Sequence, residues 1–311
     1  MQPEQSPFKN PMQPWPALAN FGKRIHLPKN NLDLFYFEAG IDQQQQILML
    51  HGLGDEADTW RHVFLPLAEH YHVFAVDLPG FGRSDKPISA YTPLFLMEVI
   101  NEFINTLGII NTIMMGSSLG GLLAHGLGMD HPERVNGLVL VGGGLPQSKS
   151  MGDWSLRLMQ LPILGEWLYT RLRKDPTAAY NSLRNVYHDL DSLPESDREF
   201  LYTRVNQRVW DDNQRHAYFS TLRNLTPWIE RIREKLPTQL KYFATPTLVV
   251  LGKHDSLFST DNADRIIKFQ PKAFKVVIDN AGHLPHQEDP RSFLDSVIRW
   301  LNENYKHPLS C

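Results

Sequence analysis

The sequence predicts an α/β fold: a mostly parallel β-sheet with helices on both faces and an α-helical segment inserted late in the chain. Three observations carry this. Short apolar runs alternate with helix-periodic stretches, several of those runs are continuously apolar, and the alternation stops between about residues 145 and 245 before resuming. A continuously apolar run marks a strand buried on both faces, and strand then helix, repeated, builds a parallel sheet.

Taken in order, residues 1–20 contain Pro3, Pro7, Pro11, Pro14 and Pro16. Prolines lack the N–H that helix or ladder needs, so this stretch reads as an extended surface arm docked by Phe8, Trp15 and Leu18. Strand runs follow at 34–37, 47–50, 73–76, 112–115, 138–141, 247–251 and 275–278, with helical patterns at 95–107, 119–129, 261–269 and 290–305. The domain reading is therefore an arm (1–20), a core in two pieces (21–144 and 246–311) and a helical cap (145–245). Within the cap, Met151, Trp154, Met159, Trp167, Tyr169, Tyr180, Tyr187, Trp210 and Trp228 either line a pocket over the C-terminal edge of the sheet or form a core of their own. Large aromatics dominate ordinary cores, so each is read first as packing. Arg157, Arg171, Arg173, Arg184, Arg204, Arg208 and Arg215 read as a solvated face interleaved with acids.

Composition narrows the function. With 311 residues and 42 % hydrophobic content the chain buries a large core, and its net charge of −3 argues against nucleic acid or an anionic membrane as partner. No apolar run approaches the length of a bilayer span and residues 1–20 lack a basic stretch followed by an apolar one, so a cytoplasmic protein without integral membrane association is expected. The single cysteine, Cys311, permits no internal disulfide, which fits a reducing compartment.

The chemistry starts at Gly116-Ser117-Ser118-Leu119-Gly120, directly after an apolar strand run and before a helical pattern. A serine between two such glycines sits on a sharp strand-to-helix turn, a nucleophile elbow, and the frame selects Ser118 over Ser117. The pentapeptide alone arises by chance in about one chain in ten of this length; its context makes it specific. A serine hydroxyl attacks a carbonyl only if a base takes its proton, and imidazole suits that near neutrality. His283, in Asp279-Asn280-Ala281-Gly282-His283-Leu284-Pro285 after the last strand run, is the base expected here, with His286 its rival. Asp255, four residues beyond the run 247–251, supplies the carboxylate that orients the imidazole, and the chain order Ser, Asp, His is the expected one. Residues 142–144, after run 138–141, are all glycine, so no carboxylate competes there. For the oxyanion, the backbone N–H of Leu119 at a helix start and that of Leu53 in His51-Gly52-Leu53-Gly54 are the expected donors. His51 itself reads as a hydrogen-bonding residue of that loop.

With these blocks, together with Trp60, Asp77-Leu78-Pro79-Gly80-Phe81-Gly82-Arg83-Ser84, His131-Pro132-Glu133-Arg134-Val135 and Glu288-Asp289-Pro290, the chain resembles the α/β-hydrolase fold superfamily over roughly residues 22–305. The resemblance implies eight strands, a cap at about 145–240, catalysis by Ser118, Asp255 and His283, a structural role for the 77–84 loop, and neither metal nor cofactor. Epoxide hydrolases and haloalkane dehalogenases resemble this chain but carry aspartate at the elbow. Proline iminopeptidases have Gly-Gly-Pro-Gly at the oxyanion loop and tryptophan after the serine, where this chain has Leu53-Gly54-Asp55 and Leu119. The carbon–carbon hydrolases of aromatic ring-fission products share Ser-x-Gly-Gly, matched by Ser118-Leu119-Gly120-Gly121, yet have tryptophan after the histidine where Leu284 stands.

The leading expectation is thus a hydrolase of carboxylic esters with a small, largely apolar acyl substrate, working as a monomer or homodimer. Carbon–carbon hydrolysis of a ring-fission diketone and non-catalytic ligand reception on the same fold are the alternatives.

Overall fold

The computed structural model describes residues 6–145, 159–233 and 236–305. Met151, Trp154, Arg157 and Cys311 lie outside them. Eight strands run β1 (Gly22–Leu27), β2 (Leu32–Ala39), β3 (Gln46–Leu50), β4 (His72–Val76), β5 (Thr112–Ser117), β6 (Val135–Val141), β7 (Thr247–Gly252) and β8 (Ala273–Ile278). They form one sheet in the order β1-β2-β4-β3-β5-β6-β7-β8, antiparallel at β1-β2 and β2-β4 and parallel elsewhere. All seven runs seen in the sequence are strands of this sheet. The eighth, β1, has only two apolar residues and a largely exposed face, as befits an edge strand, so no apolar run announced it.

Alternation along each strand sorts the core into two layers. Leu48, Leu50, Met114, Leu138, Leu140, Val249 and Leu251 pack on one face, against α2 (Pro93–Thr106), α3 (Leu119–Asp130) and α9 (Thr260–Phe269). Ile47, Met49, Ile113, Met115, Val139, Val141, Leu248 and Val250 pack on the other, against α1 (Phe64–Ala68) and α11 (Pro290–Asn304). Strands β3 to β7 are therefore apolar through their central runs, with polar or glycine positions at their ends. Between β6 and β7 lies a helical insertion: α4 (Leu164–Arg171), α5 (Pro176–Asn181), α6 (Glu195–Trp210), α7 (Asp212–Arg233) and α8 (Leu236–Lys241). A short α10 (Pro285–Glu288) precedes α11. Among the described residues no helix is long and apolar enough to cross a membrane.

Two expectations need correction. The arm is not wholly extended: Pro16–Phe21 form a 3-10 helix, with Pro16 in the first turn, where a missing N–H costs nothing. Leu18 within it is fully buried, and Trp15 docks with its N–H on Asp58 Oδ1 at 2.6 Å and its ring under the Arg61 guanidinium. The insertion's arginines are not one solvated face either. Arg171 and Arg184 are exposed, but Arg204 and Arg208 are buried in ion pairs with acids from the core. Its aromatics divide similarly. Trp228 and Tyr187 are buried, Trp167 is half exposed, and Tyr169 stacks on Tyr218 with ring centroids 5.8 Å apart.

Candidate active site

Parallel strands deliver their C-terminal ends to one edge of the sheet, and the loops leaving β3, β5, β6, β7 and β8 converge there. The turn after β5 is the tightest. Ser118 has φ 51° and ψ −112°, a conformation that side chains rarely adopt, and its N–H is tied to Val141 O at 2.8 Å. The flanking glycines are required sterically: a β-carbon at Gly120 would stand 2.2 Å from Leu50 O, and one at Gly116 2.3 Å from the Gly120 carbonyl. Strand β5 and helix α3 therefore touch backbone to backbone, and the serine between them projects at the crest. Ser118 is partly exposed, whereas Ser117 is buried with an unpartnered hydroxyl. Leu119 is the first residue of α3, whose opening N–H groups have no partner within the helix.

His283 and Asp255 meet from the two neighbouring loops. His283 Nδ1 lies 3.0 and 2.9 Å from the two Asp255 oxygens, and Asp255 Oδ1 also accepts the N–H groups of Leu257 (2.8 Å) and Phe258 (2.9 Å). Both side chains are almost fully buried. With the carboxylate facing Nδ1, the neutral ring carries its proton there and leaves Nε2 as a lone-pair acceptor. Nε2 is buried and makes no hydrogen bond. The glycines after β6 lie between base and nucleophile: a β-carbon at Gly142 would be 3.0 Å from His283 Nδ1, and one at Gly143 would be 2.4 Å from Ser118 O. Absence of side chains at 142–143 lets the two loops close on each other.

The loop after β3 comes in from the other side. Asp55 N–H closes a turn on Gly52 O at 3.2 Å, with Gly54 at φ 78° in the third position, the left-handed place of a type II turn. A β-carbon at Gly52 would be 3.4 Å from Ser118 Cβ, so Leu53 stands beside the elbow. Tyr218 of α7 packs on Gly54 from above. His51 is spoken for: Leu78 N–H donates to its Nε2 at 2.8 Å, which leaves Nδ1 to donate to Gly52 O at 2.7 Å. Burial lowers its pKa, keeping it neutral in that structural role. His286 is likewise occupied, its ring tilted against Trp60 with centroids 4.4 Å apart and Nε2 against Thr59 Oγ1 at 3.0 Å, while the Asp255 carboxylate faces His283. Burial pushes its pKa down to about 3. The loop at 77–84 is a brace: Asp77 accepts the N–H of Ala57 at 2.7 Å and the Arg83 guanidinium at 2.8 Å.

Several residues at the site went unread in the sequence. Glu288 accepts N–H groups from Gly282 (2.8 Å) in the core and His188 (2.6 Å) in the insertion, and His283 N–H itself donates to Val186 O at 2.9 Å. Gln287 Oε1 accepts from both Tyr187 and Arg61 at 2.7 Å. Arg204 and Arg208 grip the segment after the Leu53 turn. Of these, Glu288 alone had a local signal, its place in Glu288-Asp289-Pro290 after the histidine.

Comparison with known proteins agrees with this architecture. The chain is 27 % identical over 277 residues to an uncharacterised protein of Mycobacterium bovis, covering 82 % of this chain and 75 % of that one. It is 29 % identical over 273 residues to the 2-hydroxy-6-oxo-6-(2'-aminophenyl)hexa-2,4-dienoic acid hydrolase of Metapseudomonas resinovorans, covering 86 % and 87 %. An esterase structure from Exiguobacterium antarcticum shares the fold with a TM-score of 0.72 at 19 % identity, over 90 % of this chain and 99 % of that one. The family model for the alpha/beta hydrolase fold matches residues 46–290, and with the eight-stranded sheet, the strand-to-helix turn at Ser118 and the His283–Asp255 pair behind it, the chain belongs to that family.

Proposed function

We propose that the protein is a serine hydrolase acting on carboxylic esters or related acyl compounds, with Ser118 as nucleophile, His283 as base and Asp255 as the group that orients it. The observation that carries this is the His283–Asp255 pair, whose free Nε2 belongs to a ring that shares the Gly142-Gly143 segment with Ser118. Nε2 takes the hydroxyl proton as Ser118 Oγ attacks the carbonyl carbon, and the N–H groups of Leu53 and Leu119 stabilise the oxyanion. Collapse expels the alcohol, which leaves with the proton from His283. Water, deprotonated by the same nitrogen, then releases the acid from the acyl-enzyme. The helical insertion acts as the cap over this edge.

A second reading has a specific support. The Metapseudomonas relative is named for a 2-hydroxy-6-oxo-dienoic acid, a vinylogous diketone, and the Ser118-Leu119-Gly120-Gly121 elbow suits carbon–carbon hydrolysis of such compounds. Turnover of a ring-fission diketone far faster than of p-nitrophenyl esters would favour it. The test of the shared step is intact mass and peptide mapping after fluorophosphonate treatment. One adduct on Ser118, absent in Ser118→Ala, is expected; a folded protein that stays unlabelled would overturn both hydrolytic readings and leave ligand reception.

A further inference from the structure

Helix α6 turns one stripe inward: Asp197, Leu201, Arg204, Val205 and Arg208 are all buried. Its two arginines reach across the seam to the segment that follows the Leu53 turn. Arg208 Nε donates to Glu56 Oε2 at 2.9 Å and Nη2 to Glu56 Oε1 at 2.7 Å, a two-pronged fork, while Nη2 also pairs with Asp55. Arg204 Nε lies 2.9 Å from the same Glu56 Oε1. Glu56 occupies the N-cap of the 3-10 helix Ala57–Trp60 yet makes no capping hydrogen bond, so its carboxylate is committed to the insertion. Burial works most strongly against ionised Asp55, but Arg208 and the smaller favourable contributions around it together outweigh burial and hold that carboxyl below the usual range. From the core side, Asp77 fixes Ala57 N–H at 2.7 Å.

Buried ion pairs are a poor source of stability compared with apolar packing, and α6 already has Leu201, Val205 and Val209 for that. What a guanidinium fork supplies is direction, because two parallel N–H···O bonds fix a carboxylate in position and plane. We infer that Arg208 is a positioning residue: by gripping Glu56 and Asp55 it sets the turn that aims the Leu53 N–H at the oxyanion, so that the insertion completes the catalytic site instead of only covering it. This rests on the proposed role of Leu53 beside Ser118.

Three buried acids, Glu56, Asp58 and Asp77, and the partly exposed Asp55 face three arginines, Arg83, Arg204 and Arg208. Loss of one arginine alone worsens that imbalance and risks unfolding. The test therefore uses Arg208→Lys, which keeps the charge and loses the fork, and Glu56→Gln/Arg208→Gln, which removes a charge of each sign. The assays are p-nitrophenyl ester kinetics, affinity for a trifluoromethyl ketone whose adduct carries the oxyanion, and circular dichroism of each variant. A displaced donor costs about 10²-fold in kcat, with KM within about threefold and ketone affinity falling in parallel with kcat/KM. Arg208→Lys should recover part of the loss. A folded variant with kcat and ketone affinity within about threefold of the parent overturns the inference, since a purely structural pair would leave both unmoved. Wild type that does not label with fluorophosphonate would instead remove the proposed function, and the inference with it.

Discussion

The two sides of the candidate active-site edge are built by different physics. On the sheet side, the elbow is held by close packing: Gly116 and Gly120 let backbone touch backbone, and the central runs of β3, β5, β6 and β7 surround it with buried apolar side chains. On the insertion side, α7 adds apolar packing through Ala217, Leu225, Trp228 and Ile229, but the contacts nearest the site are polar: Arg61 with Asp197 and Gln287, Arg204 and Arg208 with Glu56, Tyr187 with Gln287, and Glu288 with backbone N–H groups from both partners. Packing tolerates a change of shape by degrees. A charge network tolerates loss of one member badly, because the partner is left buried and alone.

Substitutions at the two sides should break that comparison or sharpen it. The largest effect belongs to Gly120→Ala, whose β-carbon would meet Leu50 O at 2.2 Å. Backbone cannot yield there without separating α3 from β3, so the variant should fail to give folded, labelable protein, read by soluble yield and circular dichroism. Arg61→Met comes next. It leaves Asp197, with a side chain 2 % exposed, with His62 Nε2 at 2.7 Å but without its guanidinium, and should cost about 3 kcal/mol in denaturant unfolding. A loss under about 1 kcal/mol would show that the seam is not cooperative.

Acid should act on two buried histidines of the core, His286 of α10 and His125 of α3. Burial holds His286 down to about 3 and His125 down to about 4, while an unfolded histidine titrates near 6.5. Below that pH the unfolded chain binds protons that the native chain refuses. Their contribution is therefore complete above about 6.5 and lost as pH falls, by up to about 2.7 kcal/mol per pH unit for the two together. Unfolding midpoints between pH 7.5 and 5 check the slope, and His286→Gln should halve it. The smallest effect belongs to a trimmed strand residue. Ile113→Val in β5, fully buried between layers, should cost about 1 kcal/mol and leave ester turnover in place.

Most of the sheet was legible because seven of its strands contain a short apolar run, and a local run suffices to find them. The site was legible for a related reason. Ser118, Asp255 and His283 each follow a readable strand, and parallel topology carries all three strand ends to one edge. Strand β1 escaped because an edge strand need not be apolar, and the 3-10 helix of the arm escaped because Pro16 fits a first turn as readily as it breaks a later one. The arginines of α6 were misread because their surroundings are not local: Arg208 meets Glu56, 152 residues earlier, and nothing in the helix records that acid.

The sequence by itself determined the α/β class, the layering of the sheet, the turn at Ser118 and the order of the groups expected to serve it, because each follows from periodicity or backbone sterics within a few residues. Only the tertiary structure decided that His286 belongs to the packing around Trp60, that Gly142 lies against His283 and Gly143 against Ser118, and that the insertion grips the Leu53 turn through buried charge. A buried ion is tolerated only where a distant partner arrives to meet it, and that meeting is a property of the fold, not of either segment.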